Sequence, residues 1–429
     1  MSNERFSSPQ AGWAAHAAVP AVVAGYSLLE ALRTCRTQTL STEPGFGRAP
    51  FNVIAHSERQ WTDQDRDIVT PANDLLYSNA WLDLRHGPVL LDVPAATRYF
   101  VVELLDVYTN NFLNLGTRNV PGSGARFALL GPQASDADAP PGTTPVRCPT
   151  PLVWLLARVL VDSEADLPAA LAMQSGLRLE GPAIDAPMRS VADWQAGDDA
   201  ALDFFANLGR ALHDFPPPPE QRAPFDLLDA AYVKLPADGK LAELRRTTLE
   251  GLRGAHATGL KLIQGHTSSA SKAPWRYSTR LGRFGNDYML RAATAMKGIA
   301  ALSGDEAIYA LADHDDQGAP LHGSSIYRIR FEDGGDLPAD AFWSVTLYGE
   351  DRFLAANPLG RHALGNRSQL VKDDDGALSL HVSHRESSGP KSNWLPAPDT
   401  PFYLILRLYH PQQRLMEGRY LFPVVERLQ

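Results

Sequence analysis

Cysteine is scarce in this chain: 429 residues carry only Cys35 and Cys148, far apart in sequence. No CxxC pair exists, which removes thiolate zinc sites and dithiol redox chemistry. Spacing alone does not decide whether the two thiols pair. Long basic runs are also missing, and the formal charge is −9. Electrostatic capture of nucleic acid is therefore not expected. The start, Met1-Ser-Asn-Glu4, has no basic region of the kind that opens a secretory leader. The apolar stretch from Ala17 to Leu29 contains Pro20 and Gly25 and is too short to span a bilayer. It reads as a core or docking helix. No membrane partner is expected, and the cytoplasm is the expected compartment, or the periplasm if a leader has been removed.

Catalytic signatures are absent as well. There is no GxSxG elbow, no HExxH, no P-loop and no GxGxxG. Gly254 to Lys261 has two glycines at P-loop spacing, but the lysine falls one residue late. Asp313-His-Asp315-Asp-Gln317-Gly318 opens like an EF-hand loop, yet Ser324 stands where the bidentate glutamate belongs, which leaves a plain turn. His381 and His384 lie three apart in an expected strand, so they point to opposite faces and cannot chelate together. No metal and no cofactor are expected.

What is present is a globular balance of 44% apolar and 21% charged residues. The length suggests two to four structural units. Helical spacing predicts a helix over 14–36. Short apolar runs with turn residues between them predict strands at 81–84, 89–93, 98–108 and 126–130. Residues 135–145 read as a loop. Pro149 to Val161 is predicted as an apolar helix, and Ser163 as the cap of another over 162–172. Residues 180–300 are predicted mainly helical, around a stiff Pro216–Pro219 interruption, with helices at 223–235, 240–257 and 286–302. Strands return at 327–331, 341–347, 378–382 and 401–409, with a turn at Asp373–Gly376. No repeat of fixed period is visible.

Particular motifs resemble a pair of families of unknown function. Asn52-Val-Ile-Ala-His56-Ser, Pro71-Ala-Asn73-Asp74-Leu-Leu-Tyr77-Ser and Trp81-Leu-Asp83-Leu are similar to DUF 1254, continued by Arg98-Tyr99, Leu105-Asp106, Tyr108-Thr-Asn110 and Gly116-Thr-Arg118. Ala341-Phe-Trp343-Ser, Tyr348, Asn357-Pro-Leu-Gly-Arg361, Asn393-Trp394-Leu-Pro396-Ala-Pro398 and Phe402 to Tyr409 resemble its companion, DUF 1214. Gly285-Asn-Asp-Tyr288-Met-Leu-Arg291-Ala292 matches the helical piece between them. The resemblance covers nearly the whole chain past residue 14. It implies an α+β, multidomain protein: an immunoglobulin-like β-sandwich, a helical middle domain and a C-terminal jelly-roll-like β-sandwich. The expected borders are an N-terminal helical segment at 1–45, then units at 46–145, 146–325 and 326–429. The resemblance brings no established catalytic residue. One departure is Leu75, where the family often has threonine.

Several clusters could carry chemistry. Asn73, Asp74 and Tyr77 either cap a turn or place an acid–base carboxyl and a phenol in a pocket. On strand 98–110, Val102, Leu104, Asp106, Tyr108 and Asn110 alternate onto one face, apolar first and polar last. A buried Asp106 needs a partner, and Arg118 is the candidate. Tyr288 and Arg291 share a helix face, and Arg291 awaits a carboxylate from the protein or a ligand. Trp343, Asn393, Trp394, Arg407 and Tyr409 offer aromatic faces and a guanidinium, suited to a carbohydrate, an organic acid or a domain junction. His56 completes the candidate ligand-binding set, and Lys391 lies in a Ser/Gly loop at 387–392. Three readings follow. The first is a metal-independent hydrolase or lyase, acting on a small organic substrate where domains meet. The second is a small-molecule binding protein for a carbohydrate-like or acidic ligand. The third is a structural or assembly protein. A homodimer is expected.

Overall fold

The computed structural model describes residues 6–40, 46–267, 274–386 and 389–428. The first four residues and residues 387–388 of the Ser/Gly loop lie outside the described residues. The protein is α+β, with two β units and a helical segment whose longest helix is N-terminal.

The first β unit contains β1 (Ala55–His56), β2 (Leu75–Asp83), β3 (Val89–Val93), β4 (Phe100–Asp106), β5 (Asn111–Gly116), β6 (Ala125–Leu130), β7 (Thr144–Arg147), β8 (Leu152–Leu160) and β9 (Arg178–Glu180). They form two sheets, ordered β1-β2-β8-β4-β5 and β7-β6-β3-β9. The sheets pack through Leu76, Val102, Leu104, Val153 and Val159 on one side and Val89, Leu91, Phe127 and Leu129 on the other. Because side chains alternate along a strand, the opposite face of the larger sheet carries Tyr77, Trp81, Val101, Leu105, Trp154 and Leu156. That face is buried too.

The second β unit contains β10 (Ala307–Ala312), β11 (Tyr327–Phe331), β12 (Ala339–Gly349), β13 (Ala363–Gly365), β14 (Leu378–Ser383), β15 (Trp394–Pro396), β16 (Phe402–Pro411) and β17 (Val425–Arg427). Its sheets run β10-β16-β12-β13 and β15-β14-β11-β17. Ile308, Ile329, Trp343, Val345, Leu380, Leu404 and Leu406 fill the space between them. The outer face of the β10–β16–β12 sheet presents Phe342, Tyr348 and Tyr409 to the core shared with the first unit.

The helices are α1 (Pro9–Leu40), α2 (Leu167–Gln174), α3 (Arg189–Ala192), α4 (Ala200–Asp214), α5 (Ala223–Ala230), α6 (Arg246–Thr267), α7 (Tyr288–Gly298) and α8 (Gln413–Met416). α1 runs through the middle of the helical segment and packs on α6, α5 and α7. Gly251, Ala255 and Gly259 of α6 lie four apart, and this small-residue row lets the two backbones close up. A Cβ on Gly251 would meet the Ala11 carbonyl at 2.5 Å, and one on Gly259 would meet Val22 at 2.5 Å.

Some expectations are corrected. The helix expected over 149–161 is strand β8, central in its sheet. All nine of its residues are buried, so no period-two alternation marks it in sequence. Because β8 and β9 belong to the first unit, that unit runs on past residue 145. β10 likewise pairs with β16 ahead of the expected border near 325. Ser163 makes no side-chain cap; a short 3₁₀ turn at Glu164–Asp166 precedes α2. The first helix is longer than expected, at 32 residues, and by length and composition could cross a membrane; here most of its apolar stretch is buried against protein. Cys35 and Cys148 are both buried and unpaired.

Candidate functional site

The facing sheets of the two β units enclose a polar cluster. In the first unit, register places Arg158 of β8 opposite Tyr77 on β2 and Val101 on β4. Glu103 is the next inward residue of β4 on the same face, and Arg158 Nη1 donates to Glu103 Oε2 at 2.7 Å. In the second unit, Ser344 on β12 and Tyr309 on β10 both lie opposite Arg407 of β16. Arg407 donates to Thr346 Oγ1 at 3.1 Å and to the Thr70 carbonyl at 2.7 Å. Its guanidinium also lies over the rings of Tyr309 and Tyr348, at 5.7 and 5.6 Å. Arg158 lies 5.5 Å from the Tyr77 ring.

Asp74 sits at the start of β2. Both of its carboxyl oxygens are enclosed, and among the described residues neither reaches hydrogen-bond geometry with a partner. Burial raises its pKa, while the nearby Ser344 hydroxyl and Arg407 guanidinium pull it down. Ser344 Oγ and Glu103 Oε1 are enclosed and unsatisfied as well. Burial pushes the Glu103 carboxyl up to about 7; Arg158 opposes that shift and Glu306 adds to it. Both guanidiniums are raised above their ordinary value, because ion-pair and phenol neighbours outweigh burial. Burial lifts Tyr309 and Tyr348 to about 12 each.

A second acid closes one side. Glu306 Oε1 accepts from the Tyr99 hydroxyl at 2.8 Å and lies 3.1 Å from His410 Nε2. Glu306 Oε2 accepts from Arg118 at 2.6 Å. These partners outweigh burial and keep the carboxyl below its usual range. Arg118 is the member of this group that reaches solvent, with 43% of its side chain exposed. Tyr99 packs edge-on to Phe342 and Tyr409, at 5.2 and 5.3 Å.

The backbone here is strained. Thr70, at φ 52°, gives its carbonyl to Arg407, and Ala300, at φ 63°, gives its carbonyl to Arg158 at 3.0 Å. His410 has φ 53°. Left-handed residues other than glycine cost of order 1–3 kcal/mol each, and such strain concentrates at functional sites. Perturbed acids, two buried guanidiniums and strained carbonyls in one place mark a candidate active site.

The expected site residues therefore divide. Asp74, Tyr77, Arg118, Arg407 and Tyr409 belong to this junction. Asp106, Tyr108, Tyr288 and Arg291 form a second group. Asp106 does not pair with Arg118; it accepts from the backbone and side-chain nitrogens of Asn110, both at 2.9 Å. Nor does alternation persist to residue 110, because β4 ends in a turn with Thr109 at φ 70°. Val102 and Leu104 point into the sandwich, while Tyr108 lies in the other core and donates to the Phe215 carbonyl at 2.6 Å. Among the described residues no carboxylate bonds Arg291; Nη1 donates to Gln221 Oε1 at 2.9 Å.

The aromatic cluster expected in the second unit is dispersed. Trp343 faces the interior between the sheets and donates to the Gly335 carbonyl at 2.9 Å, away from Arg407. Asn393 holds the backbone of Val371 and Ser379, and Trp394 donates to the Ser383 carbonyl. Asn73 donates to the Trp61 carbonyl at 2.9 Å, a structural tie. His56 lies 2.8 Å from Ser78 Oγ on the wall of a cleft of about 680 Å³ that Arg48 and Arg59 also line. Lys391 lies 3.5 Å from Glu386. Among the described residues, no three His, Cys, Asp or Glu side chains gather to hold a metal.

Sequence reasoning missed Glu103, Arg158, Glu306, Tyr309 and Ser344. The signal was a lone charge in an apolar strand: Glu103 in Phe-Val-Val-Glu-Leu-Leu and Arg158 in Leu-Leu-Ala-Arg-Val-Leu. A charge buried at such a position needs a partner across the sheet.

Comparison with known proteins agrees with this layout. Residues 51–181 match the model of the family "Protein of unknown function (DUF1254)", and residues 306–413 match "Protein of unknown function (DUF1214)". No curated protein matches the chain. The crystal structure of the VPA0106 protein from Vibrio parahaemolyticus shares the fold, with a TM-score of 0.73 and 23% identity over 97% of this chain and 100% of its own. A putative uncharacterized protein from Burkholderia cenocepacia is 12% identical over 94% of this chain and 87% of its own, with a TM-score of 0.47.

Proposed function

We propose that this chain, which belongs to the paired DUF1254 and DUF1214 families, is a metal-independent hydrolase or lyase acting on a small, hydroxyl-bearing organic substrate between its two β units. The observation that carries this reading is the Asp74 carboxyl. It is enclosed and raised in pKa by burial, and its oxygens fall outside strict hydrogen-bond geometry, with only the Ser344 hydroxyl and the Arg407 guanidinium set against it to lower that shift. A merely structural carboxylate in such a place would be tied down, since leaving it bare costs stability. A poised acid is instead free to move a proton to or from a substrate oxygen.

Tyr77 supports the same reading. Its hydroxyl accepts from the Ala72 N–H at 3.1 Å, which leaves the phenol proton available to a substrate. Arg407 balances the charge of an ionised Asp74, and Glu103 is poised near neutrality beside Arg158. Orphaned oxygens are acceptors, so hydroxyl donors are the complementary ligand chemistry. We also read the β units as immunoglobulin-like and jelly-roll-like sandwiches, a labelling supported by the face-to-face packing of each pair of sheets.

The test is turnover by NMR against a panel of small esters, lactones and hydroxy acids, with the parent protein and Asp74→Asn. The expected result is turnover by the parent, loss in Asp74→Asn, and an unchanged or raised melting temperature in the variant. No turnover by the parent, with Asp74→Asn and Tyr77→Phe both melting several degrees lower, would make the junction a structural interface. Parent binding without turnover would make the protein a small-molecule binder.

A further inference from the structure

A further cleft lies away from the junction. A cleft of about 600 Å³ opens between the β4–β5 turn and the segment leading into α7, with Asp106, Asn110, Phe112, Gln221, Arg283 and Phe284 on its walls. Two of these wall residues are neighbours of Arg291, which is only 1% exposed: Gln221 by a hydrogen bond and Asp106 by charge. One of its nitrogens, Nη1, is bonded to Gln221. Nε and Nη2 are enclosed and, among the described residues, have no acceptor. The rings of Tyr108 and Tyr288 lie 5.5 and 5.3 Å from the guanidinium carbon.

Nε and Nη2 form the edge of a guanidinium that presents two parallel N–H groups, the geometry that matches a carboxylate. Two other arginines of this chain use that edge in that way. Arg85 grips Asp83 with Nε at 2.9 Å and Nη2 at 2.6 Å. Arg367 grips Asp162 with Nε at 2.7 Å and with Nη2. On Arg291 the same fork is empty, although a buried guanidinium left unpaired is costly. Asp106 does not fill it; its two oxygens are turned to the backbone and side-chain nitrogens of Asn110. Asp106 contributes only attraction at a distance. Tyr288, the ring on the other side of the guanidinium, is half-buried.

We infer that the Arg291 fork is a carboxylate-binding site reached through this cleft, and that it takes a monocarboxylic acid with an apolar body. The fork selects a planar two-oxygen anion. The neighbouring Asp106 carboxyl disfavours ligands of higher negative charge, phosphate among them. Phe112 and Phe284 supply apolar wall for the body of the acid. This inference stands apart from the proposed junction chemistry and uses none of its residues.

The test is calorimetry and thermal shift on the full chain with benzoate, and with benzyl alcohol and inorganic phosphate as controls. Benzoate is expected to bind and raise the melting temperature, the controls to do neither, and Arg291→Lys to weaken benzoate at least tenfold. Gln221→Glu, which sets a negative charge against Nη1 beside the fork, is expected to weaken benzoate at least tenfold and raise the ligand-free melting temperature. That variant decides the matter if Arg291→Lys does not fold. Equal shifts from benzoate and benzyl alcohol, equal binding of phosphate, or unchanged benzoate affinity in Gln221→Glu would overturn the site. Asp74→Asn is expected to leave benzoate affinity unchanged; its loss would move the ligand to the junction and overturn this inference alone.

Discussion

Arg158 reaches across from β8 to hold Glu103 on β4, with Nη1 2.7 Å from Oε2, and both side chains are buried. A buried ion pair is worth little against apolar residues of the same shape, but breaking one half exposes the other to the full cost of burial. Arg158→Met is therefore expected to lower unfolding free energy by about 3–5 kcal/mol. The double variant Arg158→Met, Glu103→Leu should recover most of that loss. Urea denaturation of the two single variants and the double variant measures the coupling directly.

The acid–base balance of Glu103 gives stability a distinctive pH dependence. A free glutamate titrates near 4.5, and burial pushes Glu103 up to about 7 in the folded chain. The folded state thus keeps a proton that the unfolded chain releases as pH climbs from 4.5 to about 7. This contribution is fully present below the unfolded pKa and is lost as pH passes the folded one. It amounts to something on the order of 3 kcal/mol. Glu103→Gln should remove that downward slope, which melting temperatures of parent and variant across this pH range will show.

Close packing of α1 on α6 predicts a different sensitivity. Gly251→Ala drives a methyl to 2.5 Å from the Ala11 carbonyl, a backbone atom that cannot swing away. A loss of about 1–3 kcal/mol is expected. Gly265→Ala on the same helix meets nothing within 4 Å and should hold or gain stability. Thermal melts of the two variants compare them.

The thiols should be inert in the native state. Cys35 is fully enclosed and Cys148 is 1% exposed, and burial raises both well above the ordinary thiol range. Reaction with an aromatic disulfide reagent should be slow in buffer and fast in denaturant.

These variants also show which features the sequence exposed. β3 lies between the turn at His86-Gly87-Pro88 and Pro94, and β11 alternates Tyr327, Ile329 and Phe331 with Arg328 and Arg330; both have the limits these signals predict. β8 carries apolar side chains on both faces because sheets cover it on both sides, so its pattern matches that of a buried helix. Misreading β8 hid Arg158 and, with it, half of the junction. Asp74 and Tyr77 stand out as a polar cluster beside a proline and before a strand, and Arg407 as a guanidinium among aromatic residues. Their meeting depends on β2 and β16 facing each other across more than three hundred residues of chain, which no local pattern records. The seat of Arg118 on Glu306 rather than Asp106 is a long-range contact of the same kind.

The position of α1 constrains how the molecule is made. This apolar helix ends at Leu40, while its main packing partner, α6, begins at Arg246. During synthesis at roughly 5–20 residues per second, α1 leaves the ribosome on the order of 10–40 seconds before α6 exists to cover it. For that interval the nascent chain displays a long greasy segment with no native place to go, next to strands that are assembling their own sheets. Binding by a holding chaperone, or early docking onto the face of the β2–β8 sheet, would keep such a chain off its neighbours.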